Sequence, residues 1–113
     1  MITAEELRRI KETQYNNYEN YFRTLFSTKS EEIQTKLIKA AEDQRNNATI
    51  LIRTEPIPES TDIYVLIPEV IRTFFAGYGF KEVSVHKYLV QCGSMLAGFE
   101  LYFNWEEKEK KKK

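Results

Sequence analysis

The clearest pattern in the chain is the stretch FELYFNW, residues 99–105, in which apolar and polar side chains alternate over seven positions. Successive side chains of a β-strand point to opposite faces, so the large apolar residues of this stretch share one face. These are Phe99, Leu101, Phe103 and Trp105, whereas Glu100, Tyr102 and Asn104 share the other. A slip of one residue would expose all four apolar side chains. We therefore expect a half-buried antiparallel strand with a firm register.

Two further strands are predicted from β-branched segments. Residues 48–54 read ATILIRT, and Pro56 and Pro58 are expected to end this strand. The polar, proline-marked residues 56–62 then form a surface connection. After Gly79 a period of two returns in residues 83–86, and residues 91–94, QCGS, predict a turn that joins this strand to the last one.

Two amino-terminal helices are predicted from capping boxes. Thr3 and Glu6 form the first box, and Thr28 and Glu31 form a second, which indicates a short turn and a new helix ending near Arg45. A single kinked helix is the alternative. The first helix carries an apolar stripe of Leu7, Ile10, Tyr18, Tyr21, Phe22, Leu25 and Phe26.

A third helix is predicted around Pro68. The apolar residues 63–67 are ambiguous, because a helix through them would place Pro68 in its interior at a cost of about 3 kcal/mol. A helix that begins with Pro68 avoids this cost, since the first helical position has no hydrogen bond to lose. We expect this helix to end at Gly77 or Gly79.

These elements predict an α+β fold in which two amino-terminal helices and a third short helix pack on one face of a small, mainly antiparallel three-stranded sheet. Residues 1–105 form a single domain, and residues 106–113 form a charged, lysine-rich tail that we expect to be disordered. The predicted core consists of Ile50, Ile52, Val70, Phe74, Val83, Val85, Phe99, Leu101, Phe103 and Trp105.

Composition limits the function. With 113 residues the chain is too short for a multidomain enzyme, and its 17 basic and 17 acidic residues argue against a protein that coats nucleic acid. The single cysteine, Cys92, cannot form an intramolecular disulfide, which favours a reducing compartment. The acidic start does not read as a signal peptide, so we expect a protein that is not secreted. The longest apolar run, residues 63–67, is too short to cross a bilayer.

Part of the chain resembles a known group of proteins. Residues 67–71, IPEVI, lead through a short helix to GYGF at residues 77–80, and a hairpin ends on Trp105. Over roughly residues 30–105 this layout is similar to small uncharacterised α+β proteins of tailed phages and large DNA viruses. The resemblance implies a viral origin, a location in the host cytoplasm or nucleus or in the virion, and a binding or structural role. It transfers no site residues.

No catalytic machinery is recognisable. His86 is the only histidine, and together with Cys92 it does not supply the three or four ligands of a zinc site. The glycines Gly93 and Gly98 do not match a dinucleotide or triphosphate loop. We therefore predict a protein that is not an enzyme and needs no cofactor or metal.

The aromatic first helix provides the main functional hypothesis. We predict that Tyr15, Tyr18, Tyr21 and Phe22 contact another protein or a second copy of the chain, because aromatic side chains are enriched at the centres of interfaces. The chain would then be a homo-oligomer or part of a larger assembly. The alternative is that these side chains form core and rim, with the tyrosine hydroxyls reaching water.

Two other functions remain open. The first is nucleic-acid binding by the lysine run, helped by Tyr88 and Tyr102 on the open face of the sheet. That run consists of Lys110, Lys111, Lys112 and Lys113. The second is binding of a small ligand at a subunit interface, where motifs of a single chain would not be visible.

Overall fold

A computed structural model describes residues 1–106, so most of the predicted tail lies outside the described residues. Within this range the elements follow the order α1 (Ala4–Thr28), α2 (Ser30–Glu42), β1 (Asn47–Pro58), α3 (Thr61–Phe74), β2 (Glu82–Gln91) and β3 (Met95–Asn104). The three strands form one antiparallel sheet in the order β1-β3-β2. The predicted α+β fold is confirmed.

The central strand is the one with the clearest sequence pattern. On β3, Phe99, Leu101 and Phe103 are completely buried. Leu101 pairs with Ile50 of β1 on one side and with Val85 of β2 on the other. The alternating pattern predicted this register correctly, because a slip would have moved these side chains into water.

The helices cover one face of the sheet and form one core with it. The ring of Phe22 on α1 lies 6.3 Å from that of Phe99, measured between centroids, and Phe26 lies 6.1 Å from the same ring. The predicted core residues that are buried are Ile50, Ile52, Val70, Phe99, Leu101 and Phe103. The others, Phe74, Val83, Val85 and Trp105, are half-buried against this core.

The start of α1 has the predicted capping box. The Thr3 hydroxyl accepts a hydrogen bond from the Glu6 amide at 3.1 Å, and the Glu6 carboxylate accepts one from the Thr3 amide at 2.9 Å. The helical pair α1 and α2 is broken at Lys29, as predicted. The second capping box is wrong, because Thr28 still belongs to α1 and Lys29 precedes α2 without any side-chain cap.

The predicted start of the third helix at Pro68 is also wrong. Helix α3 begins at Thr61, where the Ser60 hydroxyl accepts a hydrogen bond from the Ile63 amide at 3.2 Å, and Pro68 lies inside the helix. The buried face of α3 consists of Ile63, Leu66, Ile67, Val70 and Ile71. Burial of a side chain of this size contributes about 1.5–3 kcal/mol. The three buried residues before Pro68 therefore outweigh the roughly 3 kcal/mol that an interior proline costs.

Helix α3 ends earlier than predicted. Its last residue is Phe74, and the chain then turns through Gly77 and Gly79. Both glycines have positive φ, 87° and 84°, which a residue without a Cβ adopts at little cost. They shape the connection to β2.

Strand β1 passes the two prolines that were expected to end it. It continues to Pro58 after an irregularity between Arg53 and Ile57, and the Ile57 side chain is buried. Because β1 is an edge strand, a missing amide hydrogen on its outer side costs no ladder hydrogen bond. The predicted surface connection over residues 56–62 is therefore reduced to a short link between β1 and α3.

Candidate functional site

The apolar stripe of α1 continues past the part of the helix that is buried. Phe22 and Phe26, near the end of α1, are completely buried. Near its start, Leu7 is 53% exposed and Ile10 is 57% exposed, and all residues from 1 to 14 are exposed to solvent. The amino-terminal half of α1 therefore presents its apolar face to solvent.

A groove lies between this half of α1 and the start of α3. Leu7 and Ile10 line it from α1, Ile63 and Leu66 line it from α3, and its volume is about 290 Å³. The two helices run side by side in the same direction. Two contacts show this: Lys11 of α1 reaches Asp62 near the start of α3, and Arg23 of α1 reaches Thr73 near its end. We call this feature the α1/α3 groove.

The charged groups of the groove compensate each other. The Lys11 ammonium lies 3.5 Å from the Asp62 carboxylate, and both side chains are largely exposed. An ion pair this exposed contributes little to stability, because water screens it. Because the two charges compensate each other, the groove has no net charge. Most of the other residues that line it are apolar or aromatic.

The predicted contact residues of α1 are placed in two different environments. Tyr15 and Tyr18 line the α1/α3 groove and are half-buried. Tyr21 is also half-buried, and its hydroxyl accepts a hydrogen bond from the Glu55 amide of β1 at 2.9 Å. Phe22 is completely buried against the sheet. The assignment of Phe22 as a partner contact is therefore corrected: it has no exposed surface for a partner.

The sequence alone does not identify the four aliphatic residues that line the α1/α3 groove, which are Leu7, Ile10, Ile63 and Leu66. Leu7 and Ile10 were placed on the apolar stripe of α1, but nothing in the sequence shows where the cover of that stripe stops. The sequence predicts a third helix that begins at Pro68, which leaves Ile63 and Leu66 ahead of that helix and outside any groove. The hydroxyl of Ser60, which caps α3, was the available signal for an earlier start.

The aromatic pair proposed for nucleic-acid binding is split between the two faces of the sheet. The pairing register shifts between Val85 and Lys87, so His86 is an extra residue in β2. This β-bulge turns Tyr88 towards the core, where its ring lies 6.4 Å from that of Phe99. Tyr102 lies on the face opposite to Phe99, so the prediction that both tyrosines share the open face is wrong.

The lysine run from Lys110 to Lys113 lies outside the described residues. Two further candidates, His86 in the bulge of β2 and Cys92 in the turn between β2 and β3, are both exposed. Among residues 1–106, no group of three or more histidine, cysteine or acidic side chains is placed to hold a metal ion. No helix in the same range is both long and apolar enough to cross a membrane.

Tyr64 on α3 and Tyr88 on β2 connect the start of α3 to the sheet. The Tyr64 hydroxyl donates a hydrogen bond to the Glu59 carboxylate, and the ring of Tyr64 meets that of Tyr88 edge to face at 4.7 Å. The hydrogen bond to Glu59, with burial and the negative charge of Glu59, raises the pKa of Tyr64 to about 12. Burial raises the pKa of Tyr88 as well. These contacts hold the α3 side of the groove in place.

A second, aromatic groove lies at the other end of α3. Leu37 of α2, Phe74 of α3 and Phe80 line it, and Tyr78 borders it with 70% of its surface exposed. Its volume is about 310 Å³, at the lower end of the range of pockets that bind small molecules. Phe74 belongs to the last turn of α3, whereas Ile63 and Leu66 of the α1/α3 groove belong to its first half, so the two grooves lie at different ends of this helix.

No protein-family model matches the chain, and no curated protein and no solved structure is significantly similar to it. The geometry of the chain itself is therefore the basis for a functional proposal.

Proposed function

We propose that this chain is a non-enzymatic protein-binding module that accepts an amphipathic helix of another polypeptide chain in the α1/α3 groove. The observation that carries this proposal is the exposure of Leu7 and Ile10, each more than half open to solvent beside the apolar side chains of Ile63 and Leu66. Large apolar side chains clustered at an open groove are typical of protein-binding surfaces.

The dimensions of the groove fit a helix. From Leu7 to Tyr18 the groove follows α1 for eleven residues, which corresponds to about 16 Å or three turns of helix. A partner helix with apolar residues at spacings of three and four would place one side chain per turn into this length. Covering the remaining exposed halves of Leu7 and Ile10 would contribute about 1.5–3 kcal/mol in total.

Tyr15 and Tyr18 add the second element of such a surface. Both line the groove with rings that pack against the core. Tyrosine provides a large contact area with few rotatable bonds, so little conformational entropy is lost on binding. The half-buried rings are thus preorganised, while Leu7 and Ile10 supply the surface that is removed from water.

The proposal is tested by selecting ligands from a displayed library of helical peptides. The chain is expected to enrich amphipathic sequences with apolar residues at helical spacing. A variant with Leu7→Glu and Ile10→Glu should lose these ligands, because both substitutions place a charge on the groove wall. Ile38→Glu on α2 is the matched control, since Ile38 is an equally exposed apolar residue that does not line the groove.

Circular dichroism of both variants should match that of the parent chain, because each altered side chain is exposed. If no peptide is enriched, or if the enriched peptides bind the double variant as tightly as the parent chain, the proposal is wrong. The viral or phage origin and the nucleic-acid alternative stay predictions. The latter depends on lysines that lie outside residues 1–106.

A further inference from the structure

We propose that the free edge of β1 binds an acidic, extended segment of another polypeptide chain, which pairs with β1 as a fourth strand beside α2. The residues that line this second surface are different from those that line the α1/α3 groove. The inference therefore goes beyond the proposed function and does not depend on it.

The edge of β1 is the more regular of the two sheet edges. In the order β1-β3-β2, both β1 and β2 have a neighbouring strand on one side only. The pairing of β2 shifts at two points, one of them the bulge at His86, and such bulges hinder pairing with a further strand. By contrast, β1 keeps an unbroken register with β3 over the seven residues 47–53. This length is enough to pair with a short peptide strand.

The outer backbone groups of this stretch are not used within residues 1–106. The Trp105 amide donates a hydrogen bond to the Asn46 carbonyl at 2.9 Å. Backbone groups of an antiparallel strand point alternately to its two sides, so those of Ile50 point towards β3 and those of Thr49 and Leu51 point outwards. No hydrogen bond within the described residues involves the outward amides and carbonyls of Thr49 and Leu51. An added strand would satisfy them.

Helix α2 lies alongside this edge and leaves a groove of about 330 Å³ between itself and β1. The apolar part of its lining consists of Ala40 of α2 and of Ala48 and Ile50 of β1. A strand paired with β1 would lie about 4.8 Å from it and would therefore run along this groove. We call this feature the β1/α2 groove.

The charged side chains of the β1/α2 groove are mostly basic. Lys36, Lys39 and Arg45 line it, and Asp43 is the one acidic residue of the described lining. The Lys36 ammonium lies 3.4 Å from the Glu32 carboxylate. Lys39 and Arg45 form no ion pair with any other side chain of residues 1–106. These two basic side chains are therefore available to the carboxylates of a bound segment.

The same charges favour an acidic partner over a second copy of this chain. Two copies joined through their β1 edges would bring their β1/α2 grooves together, because each groove borders that edge. Lys39 and Arg45 of both copies would then add to the same positive potential. An acidic segment neutralises this potential instead.

The two faces of the sheet define the side-chain pattern of the ligand. Side chains of the added strand alternate between the faces, and those on the face of Ile50 lie towards α2 and its basic residues. Carboxylates are expected at these positions. The other side chains share the open face with Thr49 and Leu51, which is 36% exposed, and β-branched residues fit such neighbours. The ligand is therefore expected to alternate acidic and β-branched residues.

The first test uses a fluorescently labelled peptide of alternating valine and glutamate, matched in length to the seven regular residues of β1. Its fluorescence anisotropy with the full-length chain is expected to show saturable binding below about 1 mM. The same peptide with lysine in place of glutamate should bind at least about tenfold more weakly, because it carries the same charge as Lys39 and Arg45. No saturable binding of the acidic peptide, or equal binding of both peptides, overturns the inference.

The second test locates the bound peptide by NMR-detected amide hydrogen exchange. The peptide should slow the exchange of the outward amides of Thr49 and Leu51 and leave that of Ile50, which points towards β3, nearly unchanged. A peptide that contacted only the basic side chains would not protect alternate backbone amides. Binding without slower exchange at Thr49 and Leu51 therefore contradicts strand addition and overturns the inference.

The third test concerns the basic side chains. Lys39→Glu combined with Arg45→Glu should weaken binding of the acidic peptide by about tenfold, since two attractive contacts become repulsive. Arg8→Glu combined with Arg9→Glu is the matched control, because it changes the total charge equally and neither residue lines the β1/α2 groove. All four side chains are exposed, so both variants should keep the parent circular dichroism spectrum. Equal binding by the two double variants overturns the inference.

A phosphate backbone is the other ligand that these basic residues could attract. An oligothymidylate of about seven nucleotides, matched in length to the peptide, should bind more weakly than the acidic peptide, because it cannot pair with the edge of β1. Tighter binding of the oligothymidylate would identify a nucleic-acid site and overturn the inference.

The Leu7→Glu and Ile10→Glu variant separates this inference from the proposed function. It should lose helical peptides and still bind the acidic peptide like the parent chain, because the β1/α2 groove is unchanged. If it loses the acidic peptide as well, that peptide binds in the α1/α3 groove and the inference is wrong. If the acidic peptide does not bind the parent chain but helical peptides do, only the inference is wrong and the proposed function holds.

Discussion

Replacing Pro68 by alanine should make the protein more stable. Pro68 lies in the interior of α3, where it removes the hydrogen bond that a residue at this position would donate to the carbonyl of Tyr64. An interior proline costs about 3 kcal/mol relative to alanine. Proline also restricts the unfolded chain, and losing this benefit costs about 0.4–1 kcal/mol. The difference leaves an increase of about 2 kcal/mol in the free energy of unfolding. Because the Pro68 side chain is exposed, replacing it by alanine leaves no cavity.

Urea unfolding measures this gain. Trp105 is the only tryptophan and is half-buried against the core, so its fluorescence reports global unfolding. Pro56→Ala is the matched control, because Pro56 lies in the irregular part of β1 and is also exposed. This control should lower the free energy of unfolding by about 0.4–1 kcal/mol, the opposite sign. A Pro68→Ala variant that is less stable than the parent chain would refute the reasoning and favour a helix that begins at Pro68.

Two further predictions follow from single contacts. Gly98→Ala should destabilise the protein by about 1–3 kcal/mol in urea unfolding, because the new Cβ would lie 2.6 Å from the Ile52 carbonyl oxygen and would force β1 away from β3; a change below about 0.5 kcal/mol would contradict this packing. The stability advantage of the parent chain over Tyr64→Phe should shrink as the pH rises from 10 to about 12, because the unfolded chain ionises Tyr64 in this range while the folded chain keeps the proton. Unfolding measured below and within this range tests it, and an advantage that stays constant would show that the hydrogen bond to Glu59 does not hold the proton.

The α1/α3 groove shows why a binding surface is harder to predict than a fold. The stripe on α1 was visible in the sequence, and Tyr15 and Tyr18 were predicted as contact residues. Phe22 belongs to the same stripe but is buried. Which part of the stripe is covered depends on how far the sheet extends beneath the helix, and no property of Phe22 or Leu7 alone contains that information.

Several features could be inferred from short stretches of sequence, because they depend on neighbouring residues. The alternation in residues 99–105 establishes the central strand and its register, since only one of the two faces can be buried. The capping box of Thr3 and Glu6 establishes where α1 begins, because both hydrogen bonds form within one turn. Together with the other segments they indicate the α+β fold.

Other features depend on contacts between residues far apart in the chain. Pro68 is accepted inside α3 only because the face of that helix is buried on the sheet, and the bulge at His86 is visible only once β2 is paired with β3. Tyr88 therefore turns to the core instead of the open face. The exposure of Leu7 and Ile10 is of the same kind: local sequence makes them apolar and helical, but the position of α1 relative to the sheet and α3 leaves them in solvent, because burial depends on every neighbour that packs around a side chain.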